Sequence, residues 1–78
     1  MRIEVRLYAT LRRFAPTAEG GILFVDVAEG ATAADAIATV KVDADEVHLL
    51  MINGRNCPAG QALCEGDRLG LFPPIGGG

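Results

Sequence analysis

Between Arg2 and Phe72 the hydrophobic period of the chain changes twice, from two residues to between three and four and back to two. That succession limits the folds open to it, because a two-residue period buries one face of a strand and a 3.6-residue period one face of a helix. From Arg2 to Tyr8 the alternation is strict, with Ile3, Val5 and Leu7 facing one way and Arg2, Glu4, Arg6 and Tyr8 the other. This is the pattern of a half-buried strand. Ile22 to Val27 repeats it, with Leu23, Val25 and Val27 on one parity and Ile22, Phe24 and Asp26 on the other, so both faces carry hydrophobes. The intervening TLRRFAPTAEGG is expected to be a loop holding one helical turn before Pro16.

The period then lengthens. Ala33, Ala36, Ile37 and Val40 fall at i, i+3, i+4 and i+7, Thr32 stands at the capping position, and Asp35 offers its carboxylate to the first turn. The pattern predicts a short amphipathic helix over Ala33 to Val40, its alanines small enough to let it lie close to a sheet. KVDADE reads as a polar connector. Val47 to Ile52 is the third strand, apolar on both parities, and Asn53-Gly54 after it signals a tight hairpin turn. A short strand, a second turn at Glu65 to Asp67 and a last strand from Arg68 to Phe72 complete the order. The class is α+β, a mixed sheet of four to five strands with one helix packed on one face. Periodicity alone leaves the choice among small α+β topologies open.

The 78 residues, half of them apolar and 22% charged, fit one domain with no room for a second. A net charge of −3 argues against a nucleic-acid partner, which needs a basic patch. No apolar run approaches the length of a membrane span and the amino terminus lacks a signal-peptide core, so a cytoplasmic protein without a membrane partner is expected. Cys57 and Cys64, with the single histidine His48, are too few to hold zinc, so no metal is predicted and the thiols are expected to be reduced and incidental. His48 alternates with core positions and reads as structural; Arg12, Arg13 and Arg55 read as solvated charges, and Asp43, Asp45 and Glu46 as a solvated edge.

The end of the chain, LFPPIGGG, has no polar side chain. Pro73 and Pro74 fix φ and lack N–H donors, so they end strand pairing and hold the tail extended away from the sheet. Gly76, Gly77 and Gly78 have no Cβ, and enclosing walls can approach their backbone closely. A stiff base thus carries a flexible tip: residues 1–72 form the domain and residues 73–78 the tail. Phe72 is on the opposite parity from Leu69 and Leu71, and is read as an anchor in a hydrophobic partner interface, or else as a satellite hydrophobe covered by Tyr8, Phe24 or Leu50.

Two blocks of the sequence, VRLYATLRRFAP and INGRNCPAGQALCEGDRLGLFPPIGGG, and above all FPP before a terminal Gly-Gly, resemble the sulfur-carrier proteins of the ubiquitin-like β-grasp class, closest to the small subunit of molybdopterin synthase. Gly76 stands where that family commonly has alanine. The resemblance implies a β-grasp fold and a carrier that is not catalytic alone. Gly78 would be adenylated by a ubiquitin-activating-like adenylyltransferase and converted to a thiocarboxylate, donating sulfur in a complex with a larger catalytic subunit. Phe72, Pro73, Pro74, Ile75, Gly76 and Gly77 would contact the partners. No phosphate-binding loop is present, so ATP is expected to be bound by the activating partner and no cofactor by this chain. The pathway would be molybdenum or tungsten cofactor biosynthesis, with thiazole synthesis for thiamin, another sulfur acceptor, or lysine conjugation as a protein modifier as alternatives.

Overall fold

The computed structural model describes residues 1–74. Five strands form one sheet: β1 (Arg2–Leu7), β2 (Ile22–Asp26), β3 (Leu49–Ile52), β4 (Arg55–Asn56) and β5 (Arg68–Phe72), in the spatial order β2-β1-β5-β3-β4. β1 and β5 pair in parallel, with Val5 opposite Leu69 and Leu7 opposite Leu71, and the remaining neighbours are antiparallel. The last strand is therefore central. Its residues share one parity with β1: Ile3, Val5, Leu7, Leu69 and Leu71 point to one face and are at most 1% exposed.

The helix α1 (Ala33–Thr39) lies on that face through Ala33, Ala36 and Ile37. Thr32 and Asp35 form the expected reciprocal cap, the Thr32 hydroxyl accepting from the Asp35 N–H and the Asp35 carboxylate accepting from the Thr32 N–H. Two further N–H groups at the helix start donate outside it, Ala33 to the Gln61 carbonyl and Ala34 to the Ala59 carbonyl, at 2.9 Å each. The first turn of a helix leaves such donors without partners of its own. Here they tie down the loop between β4 and β5, and Leu63 from that loop is buried in the core.

Several expectations need adjustment. The third strand begins at Leu49, since Ala44–Glu46 forms a 3₁₀ turn that is closed by the Val47 N–H donating to the Ala44 carbonyl. The connector KVDADE is not wholly polar in its placement, because Val42 joins the core at 5% exposure. The loop after β1 is more ordered than a single turn: Ala9–Phe14 is a 3₁₀ helix, and its Leu11 is fully buried. The Asn53-Gly54 turn has φ of 52° and 84°, the two left-handed residues of a type I′ hairpin, and the Asn53 side chain bonds both Asp67 and the Arg68 N–H.

Gly20 and Gly21, just before β2, make a controlled comparison. Both have positive φ, but a Cβ on Gly20 meets nothing within 4 Å, whereas one on Gly21 would lie 2.4 Å from the Leu7 carbonyl oxygen. Gly20→Ala is expected to cost about 1 kcal/mol, from left-handed backbone alone, and Gly21→Ala more than about 2 kcal/mol because β1 must also move. Urea denaturation of the two variants measures the difference.

Candidate functional site

The two sheet faces differ in kind. Opposite the helix, the open face carries Arg2, Glu4 and Arg6 from β1, Phe24 from β2, Arg68, Gly70 and Phe72 from β5, and Leu49 and Met51 from β3, by the alternation that buries their neighbours. Phe24 is 55% exposed at the sheet edge, with the Arg2 guanidinium 5.4 Å from its ring centroid. Phe72 is half-buried.

Phe72 is covered by Tyr8. The two rings stack with centroids 4.2 Å apart and planes inclined by 5°. The parallel register sets this contact, since Leu7 opposite Leu71 puts the next residues of both strands side by side on the open face. The backbone here is held from both flanks: the Tyr8 N–H donates to the Leu71 carbonyl at 3.1 Å and the His48 N–H to the Phe72 carbonyl at 2.8 Å. Pro73 and Pro74 come directly after, and neither can extend the ladder as a donor. An apolar groove of ≈ 530 Å³ opens beside the stack, bordered by Tyr8, His48, Leu49, Phe72, Pro73 and Pro74.

Of the residues singled out in the sequence, Phe72, Pro73 and Pro74 meet at this groove, while Ile75, Gly76, Gly77 and Gly78 lie outside the described residues. Tyr8, one of the three residues expected to cover Phe72, is the one that does so, and His48 is the addition. Tyr8 closes the polar parity of β1, a visible signal, but its pairing with Phe72 depends on a strand contact between the two ends of the chain. His48, read as structural from its alternation with core positions, has an exposed side chain that borders the groove. Arg13 and Glu46, read as solvated charges, form an exposed ion pair on the surface, and Arg13 also lies 4.5 Å over the Phe14 ring. Among the described residues no three of His, Cys, Asp and Glu come together as a metal cluster, and no helix is long and apolar enough to cross a membrane.

Cys57 and Cys64 border a separate, more polar cleft of ≈ 570 Å³ and are both free thiols. Burial pushes the Cys57 thiol above its ordinary pKa, since a thiolate is poorly solvated there.

A small mixed sheet grasping one helix, with its carboxy-terminal strand in the centre and a proline-glycine tail after it, defines a ubiquitin-like β-grasp protein. Comparison with known proteins agrees. A structure of the modifier protein SAMP1 from Haloferax volcanii superposes with a TM-score of 0.72 at 28% identity, covering 100% of both chains. A protein from Pyrococcus furiosus assigned as molybdopterin converting factor subunit 1 superposes with a TM-score of 0.77 at 26% identity, covering 96% of this chain and 99% of that one. A chain from the complex of subunits 1 and 2 of the Helicobacter pylori molybdopterin-converting factor matches at 20% identity and a TM-score of 0.64, over 100% of both chains, which is a likeness of fold. Comparison with curated proteins by sequence gives no match. The ThiS family model matches residues 5–78, and the chain belongs to that family of ubiquitin-like sulfur carriers.

Leu71→Ala should destabilise the fold by about 2–5 kcal/mol, as for a large core residue, and Phe72→Ala by clearly less, because the ring is covered on one side only. Thermal unfolding of both variants tests the assignment of faces. Cys64, the exposed thiol, should react with iodoacetamide at pH 8 faster than Cys57, as read by peptide mass spectrometry.

Proposed function

We propose that Gly78 is the reacting residue of this carrier, that its carboxylate is activated by adenylation and converted to a thiocarboxylate, and that the sulfur is delivered in a complex with a larger catalytic subunit to a pterin precursor of the molybdenum or tungsten cofactor. The observation that carries the reading is the tail FPPIGGG after a central strand pinned on both flanks, in a chain of this family. The similarity to molybdopterin converting factor subunit 1, and the existence of a subunit 1–subunit 2 complex in Helicobacter pylori, support the choice of pathway and partner.

The chemistry explains the residue types. A carboxylate is a poor electrophile, because attack on its carbon would have to expel oxide. Attack of the carboxylate oxygen on the α-phosphorus of ATP, with pyrophosphate leaving, turns that oxygen into part of a good leaving group. Hydrosulfide released from the sulfur donor then adds to the carbonyl carbon, AMP departs with the electron pair of the broken C–O bond, the S–H proton is lost to solvent, and the thiocarboxylate remains. ATP is bound by an adenylyltransferase in this scheme, not by the carrier. The same terminus must enter two partner sites in turn, which favours glycines at the tip and a fixed base. Phe72, stacked on Tyr8 beside the apolar groove, is the natural anchor for those partners, with Pro73 and Pro74 directing the chain onward.

A second reading shares the activation step: conjugation of Gly78 to lysine amines, favoured by the similarity to SAMP1, a small archaeal modifier protein. Incubation with ATP, the cognate activating enzyme and a sulfur donor, and then intact-mass measurement, should show one carboxyl oxygen replaced by sulfur. An added residue after Gly78 should abolish the change, since the reacting carbon becomes an internal amide. Retention of the mass change in the Cys57→Ser, Cys64→Ser double variant is also expected; its loss in a folded double variant would assign the sulfur to a thiol relay. Higher-mass conjugates in cells, without a thiocarboxylate, would favour the modifier reading.

A further inference from the structure

The open face holds a second, smaller cleft on the other side of the Tyr8–Phe72 stack. It measures ≈ 150 Å³ and is bordered by Arg6, Tyr8, Met51, Arg68, Gly70 and Phe72. Gly70 makes it: this glycine sits mid-strand without a positive φ, and a Cβ there would lie 3.3 Å from Phe72 Cε1 and 3.4 Å from Tyr8 Cε2. A glycine in a strand interior gives up packing, and here the absent side chain leaves room beside the aromatic wall.

Two guanidiniums flank that space and share one acid. Arg6 donates through Nε to Glu4 Oε2, and Arg68 Nε lies 3.7 Å from the same oxygen. Glu4 holds Arg6 by a hydrogen bond at Nε and attracts Arg68 by charge alone, while neither fork reaches a second carboxylate among the described residues. The terminal nitrogens of such a fork suit a carboxylate. One carboxylate against two guanidiniums leaves positive charge at the cleft. Across the wider open face Arg2, Arg6 and Arg68 are balanced by Glu4, Asp26 and Glu65, so the positive excess is local to this cleft, on a chain of net charge −3.

We propose that this cleft is a socket for a single carboxylate side chain, aspartate or glutamate, projecting from the partner protein that receives the tail. The inference rests on the carrier reading above and adds to it the chemistry of the partner surface: an acidic side chain set next to the apolar groups that meet Phe72. The cleft's volume suits one side chain, and its residues combine an aromatic wall with paired forks. The socket would give direction to docking, since complementary charge at an interface raises the association rate and fixes register.

The test uses the full chain and the organism's own homologue of molybdopterin converting factor subunit 2, with surface plasmon resonance across a series of salt concentrations. Arg6→Gln with Arg68→Gln should weaken binding at least tenfold, chiefly through slower association, and should flatten the salt dependence; melting temperature controls for folding. Arg6→Lys with Arg68→Lys keeps the charge but loses the planar fork, and should recover only part of the affinity. Binding by the glutamine pair within twofold of the native chain, with unchanged salt dependence, overturns the socket and leaves the carrier reading standing. Full recovery by the lysine pair also overturns it, because diffuse charge would then suffice. Failure of the native chain itself to bind would sink both the partner assignment and the socket.

Discussion

The parallel pairing of β1 with β5 is the constraint on which the rest of the molecule depends. Antiparallel neighbours can be joined by a short turn, but two parallel strands need a crossover, and here the crossover is nearly the whole chain between Leu7 and Arg68. That return brings β2, the helix and the β3–β4 hairpin into place around the pair. It also gives β5 a ladder on each side, to β1 and to β3, so the last strand is held more firmly than an edge strand would be. The tail therefore starts from a fixed point: the Leu71 and Phe72 carbonyls are bonded on opposite flanks, and two prolines come next.

The same register separates stability from recognition within five residues. Leu69 and Leu71 bury fully against the helix side, while Gly70 and Phe72 face outward and meet Arg6, Tyr8 and Met51. The core is small, and its helix contributes mainly alanines and one isoleucine, which let the helix approach the sheet but bury little side-chain volume. The open face keeps aromatic rings and guanidiniums uncovered or half-covered. Surfaces with that mixture, an apolar centre with charges around it, are what protein partners recognise.

Identities of 26–28% to structures that superpose at TM-scores of 0.72–0.77 show how little of the fold depends on particular side chains. The order of periods and the turn chemistry between them are enough to specify it. Asn53-Gly54 supplies left-handed backbone for the hairpin, and Thr32 with Asp35 closes the helix start. Each is a local device, and each can be met by few residue types.

The local devices were legible in the sequence for that reason. The strands β1 and β5, the faces on which Ile3, Leu7, Leu69 and Leu71 lie, the capped helix and the tight Asn53-Gly54 turn all arise from interactions among residues close in the chain. So did the proline-glycine character of the tail, whose residues limit or free their own backbone. The placement of Val42, Leu11 and Leu63 in the core was not legible, because each is a single apolar residue in an irregular segment with no period to mark it. Nor was the choice of Tyr8, rather than Phe24 or Leu50, as the cover of Phe72, or His48 at the groove, or Arg6 and Arg68 beside one Glu4, for these contacts join residues that only the strand pairing brings together. Local sequence determined which residues form strands, helix and turns, because short-range sterics and alternation act on neighbours; the tertiary structure alone decided which side chains meet at the root of the tail, because that depends on the register between the first strand and the last.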